Sequence, residues 1–329
     1  MEGNIFVPTI DRSALGGNST ALLPDDAAAE IIALAPQSSA VMTLGKRVPM
    51  NAQKLNQAVL SAEPVASWVE ADTDARPVST ATVRNEVLTA KELETTLVIP
   101  RNVYDDASID LWEQLKPRMA AALGKKLDQA ALFGLGSPKD FPVGGIAGLA
   151  DSKVVGGTGA DKDKKTHVVD DPKMDLAAKV AKAGEILASE GLELNGIAAV
   201  PGAQWRLIGL RDNNGQPIYT PSLSAGAPAG LYGLPLQEAK NGGWNPAADI
   251  VLIAADWSKI LVGVRNDVTI EMSDQGTITI DGKPVSLWET RQIAVRVLFR
   301  VGLHIAQPVT PVDSKTETQR LAFPGVNIK

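Results

Sequence analysis

The chain has 329 residues, enough for about two compact domains. Its net charge of −6 argues against a dedicated nucleic-acid binder, which carries a basic excess. The absence of cysteine excludes disulfide frameworks, thiolate metal sites and cysteine nucleophiles.

In chain order, residues 1–23 contain Gly16, Gly17, Asn18, Ser19 and Thr20 without sustained periodicity and read as an extended arm. They show no basic start followed by an apolar core, so no secretory signal is expected. "PDDAAAEIIALAP" opens a short helix at Pro24 and Asp25 and closes it at Pro36, and "VMTLGKRVPM" follows as strand or turn.

Residues 54–71 and 83–100 are both strand-like, with the polar turn "DTDARPVST" between them, and predict a long hairpin. Neither face is consistently apolar. Asn85, Thr89, Lys91 and Thr95 share a face with Val83, Val87, Leu93 and Leu97. An isolated two-stranded hairpin is marginal in water. With no obvious partner in the chain, this one is expected to pack on another chain.

Residues 105–133 place Ile109, Trp112, Leu115, Met119, Leu123, Leu127 and Ala130 on one helical stripe, closed by Gly134. Pro117 is expected to kink or split that helix. "VVGGTGADKDKKTHVV" reads as a flexible, charged stretch. The next helix is expected to take Asp171 as its cap, Pro172 as its first residue and Gly191 as its end. "GIAAV" reads as a buried strand, "PGAQWRLIGL" as a short helix, and "DIVLIAADWSKILVGVR" as strand, brief helix, strand. Finally, Ile293, Val295, Val297, Phe299, Val301, Leu303 and Ile305 alternate with Ala294, Arg296, Leu298, Arg300, Gly302 and His304. Period-two alternation over that length predicts one strand about twice the usual 5–6 residues. The order of elements is α+β.

No catalytic constellation emerges. His167 and His304 lack ligand neighbours at metal spacing. Glu70, Asp72 and Asp74 read as solvated turn residues rather than a cation site. "GGTGADKDKK" lacks phosphate-loop spacing, and there is no G-x-S-x-G elbow. Arg296 and Arg300 are explained by an exposed sheet face more simply than by a phosphate. Long extended elements without a convergent polar site suit a building block better than an enzyme.

The element order, over nearly the whole chain, resembles the major capsid proteins of tailed bacteriophages, the Hong Kong 97 fold. "LWEQLKPRMAAALGKKLDQAALFGLG" is similar to that family's spine helix. "LNGIAAVPGAQWRLIGLRDNNGQPIY" is similar to the opening of its axial domain, and "LWETRQIAVRVLFRVGLHIAQPVTPV" to its last peripheral-domain strand. The resemblance implies an N-terminal arm (1–26), the first part of the peripheral domain (27–50) and an extended loop (51–100). The peripheral domain then continues (101–171, spine helix 105–133), followed by an axial domain (172–265) and return strands with the C-terminus (266–329).

By the same resemblance the chain is expected to assemble into pentamers and hexamers of an icosahedral head shell around double-stranded DNA. It implies no catalysis, cofactor, metal or membrane. Its expected location is the virion, after assembly in the bacterial host cytoplasm. The expected partners are a portal protein, a decoration protein and a separate scaffolding protein, because the first helix begins near Asp25. Trp68, Glu70, Arg76 and Arg84 are the candidate inter-subunit contacts. No lysine occurs from Leu55 to Ala90, so a shell without covalent cross-links from this loop is expected. An encapsulin-like compartment shell is the alternative, and a soluble enzyme of unrecognised family is the third reading.

Overall fold

A computed structural model describes residues 39–62, 82–106, 111–153, 166–210, 230–280, 282–308, 310 and 322–329. The arm and residues 63–81, including Trp68, Glu70 and Arg76, lie outside them, as does most of the charged stretch after Lys153. In chain order the elements are α1 (Ala40–Leu44), β1 (Lys46–Pro49), β2 (Lys54–Ala62), β3 (Thr82–Pro100), α2 (Arg101–Asp106), α3 (Leu111–Phe133) and α4 (Gly145–Ser152). They continue with β4 (Val168–Val169), α5 (Leu176–Ser189), β5 (Gly196–Ala199), α6 (Ala203–Ile208), β6 (Gly230–Leu231), β7 (Leu234–Glu238) and β8 (Leu252–Ala255). Last come β9 (Ile260–Ser273), β10 (Thr277–Ile280), β11 (Lys283–Ser286), β12 (Gln292–Ile305) and β13 (Gly325–Ile328).

The alternating stretch forms β12, 14 residues long, at the centre of a five-stranded sheet ordered β1-β9-β12-β3-β2. Every odd-numbered residue from Ile293 to Ile305 is buried, whereas Arg296 is exposed and Leu298, Arg300 and His304 are half-buried. The buried face shares one core with Met119, Leu123, Leu127 and Ala130 of α3, the residues of the expected helical stripe. Side-chain alternation on the strand and the three-to-four spacing on the helix thus meet face to face.

A second, six-stranded sheet is ordered β4-β13-β8-β5-β7-β6. Ala198, Ile253 and Ala255 on one of its faces belong to the α3 core. Ile197, Ala199, Leu252 and Ala254 on the other pack with Val180, Ala183 and Leu187 of α5 and Leu207 of α6.

Four expectations are corrected. First, helix is already present from Arg101, ahead of the expected start at 105, and residues 107–110 lie outside the described residues. α2 runs Arg101–Asp106, α3 starts at Leu111, and α3 continues through Pro117 without ending there. Pro117 is exposed, so water can satisfy the Glu113 carbonyl that the ring leaves without a donor.

Second, Asp171 does not cap α5. Its Oδ1 accepts the Lys173 N–H at 2.9 Å and closes a separate turn, and Asp175 is the N-cap. Gly191 follows the helix at φ 76°, where a side chain would be strained.

Third, the boundary at residue 265 cuts through β9, which starts at Ile260 and pairs with β12 from its first residue. The C-terminal β13 lies between β4 and β8 in the six-stranded sheet rather than beside β12.

Fourth, the hairpin has an internal partner. β3 is 19 residues long, and its half from Ala90 to Pro100 pairs antiparallel with β12. Its other half, Thr82–Thr89, pairs with β2.

Candidate assembly interface

The place where β3 leaves the sheet is built from small and charged residues. Gly263 of β9 and Gly302 of β12 are cross-strand partners. Paired glycines leave a hole in the open face of the sheet, and Leu88 and Met50 fill it. A Cβ on Gly263 would meet Met50 Sδ and Leu88 Cδ2, and one on Gly302 would stand 2.9 Å from the Thr89 carbonyl oxygen. Met50, Leu88 and Ala90 form a small buried cluster of their own there.

Beyond that plug, Glu86 is held from two sides. His304 Nε2 lies 2.7 Å from Glu86 Oε2, and an Arg84 guanidinium nitrogen donates to Glu86 Oε1 at 2.5 Å. The same nitrogen donates to the Gln307 carbonyl at 2.6 Å. Burial on its own would raise the Glu86 carboxyl. The hydrogen bond and charge of His304, followed by Arg84, outweigh burial and hold it below the usual glutamate range. Arg84, a candidate inter-subunit contact, therefore spends one nitrogen inside its own chain.

The open face of the sheet continues this pattern. Arg300 pairs with Glu92 at 2.9 Å, and Arg296 lies 3.9 Å from Glu94 and 4.0 Å from Glu271. The cations of β12 face carboxylates of its two neighbour strands, as cross-strand pairing favours. A cleft of about 510 Å³ beside them is lined by Gln53, Lys91, Glu92, Arg265 and Arg300. Lys91 pairs with Asp140 and holds that carboxyl low, while Arg300 pairs with Glu92.

Outside the plug, the described part of the hairpin exposes two valines: Val83 is 63% exposed and Val87 45%, on one face of β3 with Asn85 between them. At the far end of the sheet Trp288 is 71% exposed.

His167, expected in a charged loop, is buried against the edge of Phe323. Its Nδ1 is 2.9 Å from Thr166 Oγ1. Its Nε2 is 3.2 Å from Glu190 Oε1 but not aligned as a hydrogen bond. His167 thus serves packing. No group of three or more metal-ligating side chains occurs among the described residues. Sequence reasoning missed Asp128, which the helical stripe gave no reason to single out. It is buried in α3 and accepts from Ser39 Oγ, the Ala40 and Val41 amides and Asn241 Nδ2.

A model of the phage capsid family matches residues 20–310. The chain belongs to the phage capsid family. The major capsid protein of Staphylococcus phage 80alpha is 24% identical over 292 residues, covering 86% of this chain and 82% of that one. Among solved structures, a chain of Mycobacterium phage Bobi is 27% identical with a TM-score of 0.69, covering 88% of this chain and 89% of that one. A chain of Microbacterium phage Oxtober96 is 26% identical with a TM-score of 0.70, covering 88% and 90%. The expected Hong Kong 97-type capsid fold and the role of a phage capsid subunit are thereby borne out.

The five-stranded sheet packs on α3, and the β3 plug fixes where the hairpin departs.

Proposed function

We propose that this capsid subunit assembles into pentamers and hexamers that close into an icosahedral shell around double-stranded DNA. In this reading the five-stranded sheet with α3 is the peripheral domain and the six-stranded sheet with α5 and α6 is the axial domain. The β2–β3 hairpin is the extended loop. The observation that carries it is β3 itself. Eleven of its residues are committed to β12, while its other end leaves the sheet with Val83 and Val87 uncovered.

Neighbouring copies would supply the missing cover, through contacts on the order of 800 Å² per partner. Trp68, Glu70, Arg76 and Arg84 are the contacts proposed. The Arg84 side chain is 31% exposed, which supports including it. A scaffolding protein, a portal and a decoration protein are the partners that the family resemblance adds. The work is geometric rather than catalytic, performed in the host cytoplasm and ending in the virion.

Negative-stain microscopy of the chain co-expressed with a scaffolding protein tests the reading. Closed particles are expected. A monodisperse small oligomer under all conditions would overturn it.

A further inference from the structure

The two sides of the layer formed by the five-stranded sheet and α3 differ in how charge is matched. On the open side of the sheet Arg296, Arg300 and His304 each face a glutamate. The outer side of α3 is different. Pro117, Arg118, Ala122, Lys125 and Lys126 are exposed there, with Ala121 and Gln129 half-buried between them. Arg118 and Lys125 are two turns apart on one stripe, about 10 Å along the axis at 1.5 Å per residue. Asp128 is the one carboxylate from Gln114 to Phe133, and it is turned inward and fully buried.

Among the described residues no carboxylate pairs with Arg118, Lys125 or Lys126. The two ammonium groups lie instead over glycines, Lys126 Nζ at Gly136 and Lys125 Nζ at Gly242. In a chain of net charge −6, one helix face therefore presents three cations that no carboxylate answers among the described residues.

We propose that this face of α3 is the surface on which the subunit meets the phosphate backbone of enclosed duplex DNA. The inference rests on the shell reading above and assigns the part of the subunit that faces the genome. A phosphate backbone fits better than an acidic protein partner. The groups between the cations are Ala121, Ala122 and Pro117, which offer no large anchor and no pocket of the kind that concentrates binding energy in protein interfaces. Small side chains let a polyanion approach closely, and unpaired cations supply sequence-independent, salt-sensitive attraction.

The test is a titration of the full-length unassembled subunit with a fluorescent 30-bp duplex across a range of salt concentrations. Arg118→Gln/Lys125→Gln/Lys126→Gln is compared with Lys173→Gln/Lys182→Gln/Lys240→Gln, which removes the same charge from exposed positions elsewhere. The α3 variant is expected to lose about tenfold or more in affinity at low salt. Its log–log salt slope should be shallower by about 2–3, near 0.9 per lost contact. The control should change less than about threefold. Equal losses in both variants, no loss in the α3 variant, or no duplex binding by the wild type would each overturn the proposal. Shell closure, scored separately in micrographs, reads the assembly function. An α3 variant that fails to close shells while keeping full duplex affinity would assign this face to a protein contact and overturn the proposal as well.

Discussion

The carboxylate of Asp128 accepts a hydrogen bond from the hydroxyl of Ser39 at 2.6 Å across 89 residues of sequence. Ser39 is also the N-cap of α1, with its side chain accepting from the Met42 amide. Asp128 thus satisfies the first amides of α1 from outside that helix, and its second oxygen takes Asn241 at 2.7 Å. One side chain ties α3 to the start of α1 and to the loop after β7.

Replacing Asp128 should therefore be costly although it lies far from any exposed surface. Asp128→Ala leaves the buried Ala40 and Val41 amides without this acceptor and removes the Asn241 hydrogen bond. A loss of roughly 2–4 kcal/mol is expected in denaturant titrations, from the unpaired polar groups and the cavity together. Ser39→Ala should cost only about 1 kcal/mol, the usual worth of a cap. Equal costs for the two variants would show that the carboxylate is not the hub.

Asp128 and Glu86 should depend on pH with opposite signs. Burial pushes the Asp128 carboxyl above its ordinary 3.8, against the pull of its hydrogen-bond donors. A folded value above the unfolded one means its contribution is complete below about 3.8 and is lost as pH rises through the folded value. Glu86 is held below its ordinary 4.5, so its contribution is complete above about 4.5 and is lost as pH falls towards the folded value. The stability gap between wild type and Glu86→Gln should shrink on acidification, while the gap to Asp128→Asn should shrink as pH rises. Melts from pH 3 to pH 7 on the three proteins decide this, and gaps that change with pH in the same direction would contradict it.

The paired glycines give an ordered prediction. Gly263→Ala meets the flexible ends of Met50 and Leu88, whereas Gly302→Ala meets the Thr89 carbonyl of the neighbouring strand. Side-chain ends can shift and a laddered backbone cannot, so Gly302→Ala should destabilise more, within the roughly 1–3 kcal/mol of overpacking. Leu88→Ala empties the hole and should cost about 2–4 kcal/mol. Hydrogen exchange should then rise in residues 82–89 before it rises in 90–100, because only the second segment is paired with β12. Uniform protection loss along β3 would argue against a separate plug.

Shells of this protein should be held by non-covalent contacts where the hairpin is concerned. There is no lysine from Leu55 to Ala90, and Lys91 at its base is paired with Asp140 of its own chain. Arginine stays protonated and does not act as a nucleophile. Purified particles boiled in detergent should run as one band near 34.6 kDa. A ladder of multimers would refute this.

Deleting residues 65–82 should leave the two sheets folded, since the part of β3 that pairs with β12, Ala90–Pro100, lies outside the deletion. Circular dichroism should stay native-like while micrographs show no closed particles. Closed particles from the deletion variant would remove the hairpin from the assembly reading.

Sequence alone determined those elements whose information is local. The burial of Ile293 through Ile305 followed from their alternation, and that of Met119, Leu123, Leu127 and Ala130 from helical spacing, because each pattern repeats with its own backbone period. Gly191 followed from the turn that a helix end requires. The tertiary structure decided what depends on partners distant in the chain. Nothing near Asp128 distinguishes a buried acceptor from a surface charge until Ser39 and Asn241 are brought to it. Arg296, Arg300 and His304 look solvent-bound until β3 places Glu94, Glu92 and Glu86 beside them. The hairpin looked unpartnered because its partner, β12, lies some 200 residues later, and strand pairing leaves no mark in local periodicity. The placement of β13 beside β8 rather than β12 has the same cause: a four-residue apolar strand fits either sheet by pattern, and only the packing of Val326 and Ile328 against α5 and α6 selects one.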